Sequence, residues 1–371
     1  MAQRLRVGLA GAGWVSAHHL AGWKQLPDVD LVAICDPDAA KARERAATFA
    51  IPRVYADAAS MLEAEQLDAI DIATPMHTHA ALCRLAADCG VHILCQKPLA
   101  PTLAEASELL ANIGSRVRFM VHENWRFRPQ YRQVKAWVNA GDLGDVRYCR
   151  LATRSSGLLP DEEGRRPALQ RQPFLASLSR LIIGEALVHH LDVVTWLMGP
   201  MQVASAKAAH GLPQVSGEHA ATILLSGDEG RWALVEGDYA AAGYPSAQAT
   251  DSLELIGQRG SVRFEGSRLT LLSAMPQEAE YNLADSYSRS YAGAIAHFAQ
   301  CMRRGRAIRN GRCRAPRCSG IGRSGLRARR PHRRMIFRID VGVTAAMLAG
   351  ETLDVLDIAT RRSSCGRGAR K

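Results

Sequence analysis

The nine cysteines of this 371-residue chain include no C-x-x-C pair and no zinc-finger spacing. That excludes a dithiol redox motif and a zinc ribbon. It leaves the thiols as reduced residues, several of them in the core. No apolar run approaches the ~20 residues that a membrane helix needs. Nothing of export-signal length precedes the first apolar run, at 5–10, so a cytoplasmic protein is expected. The formal net charge of +11 loses its meaning once it is located. Residues 1–302 hold 28 Lys+Arg against 32 Asp+Glu, a net −4, whereas 303–371 hold 19 against 4, a net +15. The body therefore lacks the footprint of a nucleic-acid binder, and neither nucleic acid nor membrane is an expected partner.

What is present begins at Leu5. The run LRVGLA leads into Gly11, Gly13 and Ser16, in the register G-x-G-x-x-G with serine at the third place. A helical stretch to about residue 25 and a second apolar run at 30–35 end on Asp36. Strand, glycine turn, helix, strand and acid each have a task in binding a dinucleotide. Gly11 permits the tight turn, and Gly13 lets the backbone approach a pyrophosphate. The helix entrance, with Trp14 and Val15, offers free N–H groups and a partial positive charge. Asp36 lies 23 residues past Gly13, close to the ~20 expected of the acid that bonds the ribose 2′-OH. Its charge would repel a 2′-phosphate, so NAD is expected over NADP. The competing reading is an ordinary strand-to-helix turn with an incidental aspartate.

Helical stretches at 37–50, 58–65, 78–89 and 102–113 alternate with apolar strand runs at 53–55, 68–73, 91–95 and 117–122. Such alternation implies an α/β fold with a doubly wound parallel sheet over residues 1–122. Ligands of such sheets sit outside the carboxyl ends of the strands. The loops at Gly11, Asp36, Thr74 and Gln96 should therefore line one crevice. From 123 to 302 the pattern changes to an α+β domain. Short strands at 146–153, 202–209, 220–225, 231–238, 252–256, 261–264 and 269–273 are punctuated by glycine turns. Helices are expected at 131–140 and 184–197. An open-faced, largely antiparallel sheet fits, covered by helices on one face and free to meet a second subunit with the other. The run 303–334 carries 13 arginines without helical or strand period. It reads as a flexible tail, as a nucleic-acid or membrane arm, or as residues translated out of frame.

Several residues carry chemistry. Lys97 follows a strand end directly and is fixed by Pro98; its charge could stabilise an alkoxide or polarise a carbonyl. Its bland reading is a solvated lysine. Glu185 and His189, in GEALVHHLD, share a helical face at a spacing of four. Such a pair can hold a histidine in one tautomer as a general base. A structural Glu–His pair and a metal site are the competing readings. The metal lacks a third ligand, so none is expected. His77 and His79 follow Thr74 and Pro75, a loop that could contact cofactor or substrate.

The chain resembles the Gfo/Idh/MocA family of NAD(P)-dependent oxidoreductases. The matching segments are GLAGAGWVSAHH, ICDPD, DIATPMHTHA, QKPLA, ENWRFRPQYR, the GDLGDV turn and GEALVHHLDVVTWLMG, in order over residues 5 to about 302. The resemblance implies a Rossmann domain followed by an open-faced α/β domain, assembled as a homodimer or homotetramer. It implies that Lys97 is the motif lysine and His189 the catalytic histidine, supported by Glu185. Thr74, Pro75, His79 and Gln96 are expected with Lys97 at the cofactor, and the resemblance places Asn124 and Arg126 beside a small-molecule substrate; His190 is a further substrate candidate, whose competing reading, shared with Asp192, is structural packing or hydrogen bonding. Gln96 stands where the family signature has glutamate, a change that bears on the orientation of Lys97. The family continues past the helix at 290–306 with a closing helix, so 303–371 is read as out of frame. The expected activity is NAD-dependent hydride transfer at a secondary alcohol or carbonyl of a sugar, polyol or related ring compound. A cyclic dihydrodiol dehydrogenase, a carbonyl or imine reductase, and an NAD-binding sensor without chemistry are the alternatives.

Overall fold

The structure is a computed structural model and describes residues 4–303. The reading of 303–371 as an out-of-frame tail therefore lies, Arg303 aside, outside the described residues.

The first sheet has six parallel strands: β1 (Leu5–Ala10), β2 (Val29–Cys35), β3 (Arg53–Tyr55), β4 (Ala69–Ile72), β5 (His92–Gln96) and β6 (Phe119–His122). Their spatial order is β3-β2-β1-β4-β5-β6, so the direction of winding reverses between β1 and β4. Both faces carry helices: α1 (Ser16–Lys24), α2 (Ala39–Phe49), α3 (Ala58–Ala64), α4 (His79–Asp88) and α5 (Leu103–Ile113). That sandwiching is why the central strands read as continuous apolar runs; all four residues of β4 are buried. Three helix starts are fixed by side chains accepting from free N–H groups: Asp38 for α2, Asp57 for α3 and Thr102 for α5.

The second sheet has eight strands: β7 (Val146–Arg154), β8 (Gln202–Ala209), β9 (Ala220–Ser226), β10 (Trp232–Asp238), β11 (Thr250–Gly257), β12 (Ser261–Glu265), β13 (Arg268–Leu272) and β14 (Gln277–Glu280). The order is β14-β13-β12-β11-β7-β10-β9-β8. All pairings are antiparallel except β7 with β10. Edge strand β14, with three of its four residues exposed, has no apolar signal and is not legible in the sequence. One face packs on α6 (Pro129–Ala140) and α8 (Val188–Met198). The shared core holds Tyr131, Val134, Val194, Leu197, Val235, Leu253 and Phe264. The other face leaves Trp232, Ile256 and Leu272 exposed. The short α7 (Pro167–Arg171) lies between β7 and α8 in the chain.

The last helix, α9 (Leu283–Arg303), bridges the two sheets. Near its start Ser286 donates to Gln130 Oε1, and Ser290 Oγ accepts from Asn124 Nδ2 at 2.7 Å. Near its end Ile295, Phe298, Ala299 and Met302 share a core with Leu20 and Trp23 of α1. Gly22 permits that contact: a Cβ there would lie 2.7 Å from Ile295 Cδ1. Cys35, Cys83, Cys95 and Cys149 are free thiols, as expected of them; Cys89 is not, being disulfide-bonded.

Candidate active site

The crevice begins at the turn between β1 and α1. Gly11 has φ +102°, and a Cβ there would sit 2.6 Å from the Ala73 carbonyl oxygen. Only glycine satisfies both constraints. In front of Gly13 there is open space, with nothing within 4 Å of a built Cβ. Ser16 closes the turn by donating to the Gly13 carbonyl at 2.6 Å, so serine at the third place contributes a bond where glycine would have none. Asp36 accepts from the Ala12 N–H at 2.7 Å and from the Asp38 N–H at 2.8 Å. It ties the glycine turn to the end of β2 and keeps lone pairs for a ribose. Trp14 is 57% exposed and meets His18 edge-on, while Val15 is half-buried. These residues fit a dinucleotide: a cradle that a side chain would fill, at a helix start, beside a carboxylate.

The next loop serves its neighbours. Thr74 Oγ1 lies 2.6 Å from Thr78 Oγ1, with the exposed Pro75 between them. His79, expected at the cofactor, is buried; its ring nitrogens face the carbonyls of Thr74 and Pro98, at 2.9 and 3.0 Å. It clasps this loop to the one carrying Lys97. Burial holds its pKa below the ordinary value, against those carbonyl bonds.

Lys97 and His189 come together, but through partners that helical spacing does not foretell. Residues Ile183–Leu187 form a π-helical turn before α8. Its wider winding breaks the i, i+4 register that would stack Glu185 on His189. Glu185 instead holds Lys97: the Lys97 ammonium donates to Glu185 Oε2 at 2.9 Å and to the Glu185 carbonyl at 3.2 Å. His189 pairs with Glu123, each of whose carboxylate oxygens lies 2.7 Å from Nδ1. Trp125 stacks flat on the imidazole, centroids 4.1 Å apart and planes 9° apart. Burial lowers the His189 pKa, and the Lys97 charge adds to this; Glu123 works against it without reversing it. Burial would raise the Glu123 carboxyl, but His189 and Lys97 hold it below the ordinary range. A neutral imidazole orients its Nδ1–H on a carboxylate and keeps a basic Nε2, beside a lysine with a third N–H to offer.

The three expected substrate residues are engaged inside the protein. Asn124 is buried on Ser290. Arg126 makes a forked pair with Asp192. His190 has Nδ1 2.9 Å from the Ala186 carbonyl and Nε2 2.9 Å from Asp251 Oδ1, which leaves neither nitrogen for a substrate. Asp251 is the hub of this wall, since it also accepts from Trp125 Nε1 at 3.0 Å, Tyr131 Oη at 2.9 Å and Arg128 Nη1 at 3.2 Å. Burial would raise its carboxyl; His190, Arg128 and Tyr131 hold it well below the ordinary range. Sequence reasoning missed Glu123, Trp125 and Asp251. The one local signal was Glu123 itself, an acid directly after the strand run at 117–122. Among the described residues no group of three or more potential ligands could hold a metal.

The pattern of the family described as "Oxidoreductase family, NAD-binding Rossmann fold" matches residues 5–122, and its C-terminal domain pattern matches 131–263. Over 316 residues the chain is 32% identical to a D-apiose dehydrogenase of Paraburkholderia graminis, with 82% of each protein covered. The chain belongs to the Gfo/Idh/MocA family. A second Gfo/Idh/MocA-like relative, a D-apiose dehydrogenase of Rhizobium rhizogenes, is 30% identical over 74% of this chain and 79% of its own. An oxidoreductase from Agrobacterium radiobacter, solved in complex with NAD+, L-tartaric acid and magnesium, superposes with a TM-score of 0.73 at 26% identity. That alignment covers 81% of this Gfo/Idh/MocA chain and 88% of the solved one. Family membership makes this an oxidoreductase with an NAD-binding fold.

Proposed function

We propose that this chain is an NAD-dependent dehydrogenase that moves a hydride between the nicotinamide and a secondary carbinol carbon of a sugar or polyol. The observation that carries the reading is the meeting of two held groups. A lysine ammonium is fixed on Glu185, and a neutral imidazole is fixed on Glu123, at the carboxyl ends of β5 and β6. His189 Nε2 takes the hydroxyl proton, and its Nδ1–H stays on Glu123, which stabilises the imidazolium as it forms. Lys97 directs its remaining N–H at the substrate oxygen and offsets the charge that develops there. Glu185 acts on Lys97, by orienting it. Bound at Gly11, Gly13 and Asp36, NAD supplies the two-electron acceptor. D-apiose dehydrogenase is the name of the two relatives reported above, which supports a sugar as substrate. The exposed face of the second sheet, with Trp232, Ile256 and Leu272, is the surface we assign to a homodimer or homotetramer.

The test is NADH formation, followed by absorbance, over sugars, polyols, sugar acids and cyclic diols. Turnover with one class establishes the reading; none, in protein that binds NADH, refutes it. Glu123→Gln should shift the pH profile in a stated direction. Because Glu123 raises the His189 pKa, its loss lowers that pKa further, and the acid limb of kcat/KM moves to lower pH. Turnover falls at the same time, because the ring is less firmly oriented. A limb that stays in place would remove Glu123 from the base. Asp36→Ser should lower the NAD-to-NADP ratio of kcat/KM by roughly 10- to 100-fold, the worth of a charge-assisted bond. An unchanged ratio would count against the ribose assignment.

A further inference from the structure

Gln96 ends β5 and precedes Lys97, and both ends of its side chain are bonded inside the protein. One obligate donor fixes every role in this arrangement. The Lys97 backbone N–H can only donate, and it meets Gln96 Oε1 at 2.6 Å. The Gln96 amide nitrogen is then turned to His19, 3.1 Å from Nε2. An amide N–H donates and does not accept, so His19 Nε2 must carry a lone pair. The ring proton therefore sits on Nδ1, which lies 2.9 and 3.0 Å from the two oxygens of Asp71. Trp23 Nε1 donates to the same carboxylate at 2.7 Å. His19 and Asp71 are both 0% exposed. His122 and Tyr291 close on the His19 ring, with centroids 4.2 and 5.5 Å away, and His18 is its neighbour on α1. The chain of bonds runs unbroken from a buried carboxylate to the backbone of Lys97.

We propose that Gln96 is a positioning residue: it ties Lys97 to the buried Asp71–His19 pair and holds His19 as the neutral Nδ1–H tautomer. The part concerning Lys97 rests on the dehydrogenase reading; the part concerning His19 does not. A glutamate here would still accept from the Lys97 N–H. Its second oxygen, however, would face a lone pair on Nε2, and the contact turns favourable only when His19 takes a second proton. A leucine would leave both the Lys97 N–H and His19 Nε2 without a partner, in a half-buried place where such a loss is felt.

The experiment uses the full chain and two readouts. Histidine-ring 1H–15N spectra, with the His19 signals assigned by their loss in His19→Asn, report which ring nitrogens carry protons. We expect one protonated and one bare nitrogen in the parent, and two protonated nitrogens in Gln96→Glu. Turnover in Gln96→Leu should fall on the order of 10- to 100-fold, the cost of a small misplacement of a reacting group. Its substrate KM should change little, and Gln96→Glu should recover most of the loss. A parent His19 protonated at Nε2 overturns the tautomer assignment. A Gln96→Leu protein that turns over like the parent overturns the positioning role. Failure of the parent to oxidise any alcohol overturns the dehydrogenase reading, with the Lys97 half of this proposal, while the spectra still decide the His19 half.

Discussion

Lys97→Ala should lower kcat/KM by about 10²–10³, the usual cost of deleting a donor aimed at a developing oxyanion, with NADH binding nearly unchanged. Two separate geometries underlie the split. The glycine turn and Asp36 belong to β1, α1 and β2 and make no bond to the Lys97 side chain. The ammonium is held from the opposite wall by Glu185, so its loss empties the reacting corner and leaves the cradle intact. Global stability should change little. The Lys97–Glu185 pair is 13% and 25% exposed on its two side chains, and the Glu185 carboxylate left behind can be hydrated. Steady-state NADH formation measures the first quantity and fluorescence titration with NADH the second. Turnover within a few-fold of the parent would remove Lys97 from the chemistry. Parallel loss of NADH affinity would move it to the cofactor.

Asp251→Ala is expected to have the largest effect on stability. One buried carboxylate accepts from an imidazole, an indole, a phenol and a guanidinium, on residues from α8, the 125–127 turn, α6 and the bend before it. Its removal leaves the Arg128 guanidinium, with a side chain only 5% exposed, without its counter-charge. Breaking such a buried pair from one side costs about 3–5 kcal/mol. The midpoint of urea unfolding, at unchanged slope, reads this directly. A shift worth less than about 1 kcal/mol would mean that the hub is a surface-grade contact. The variant should also lose turnover, because Trp125 donates to Asp251 and stacks on His189. An indole without its acceptor no longer fixes the plane of that ring.

The backbone of both units was largely legible, because it follows from local periods. The run at 5–10 is β1, and 53–55 and 202–209 are β3 and β8, residue for residue. Thr102 caps α5 as the spacing to Glu105 implies. The contacts within the candidate site were less legible. The inferred Glu185–His189 contact gives way to Lys97–Glu185 and Glu123–His189. Helical spacing assumes 3.6 residues per turn, and the π turn at Ile183–Leu187 does not obey it. Glu123 and His189 are 66 positions apart, and Trp125 and Asp251 are 126 apart. No local period encodes such pairings; they are decided when α8 settles between the 125–127 turn and the second sheet. Asn124 and His190, expected at the substrate, illustrate the same limit. Their chemistry suits a ligand, and in this structure Ser290, the Ala186 carbonyl and Asp251 engage it.

The bridging helix α9 also sets an order of events during synthesis. The core around β1, the earliest part of the chain to be made, contains Leu9, Leu20 and Trp23 together with Ile295, Phe298 and Met302. Domains often form as soon as they emerge from the ribosome. Here part of the apolar side of α1 stays uncovered until α9 has been added. The turn itself is tied locally by Asp36 and Ser16, but the packing of the helix that follows it is completed only when the distant end of the chain arrives. The helix behind the dinucleotide cradle, written early in the sequence, is thus among the last to be fully covered.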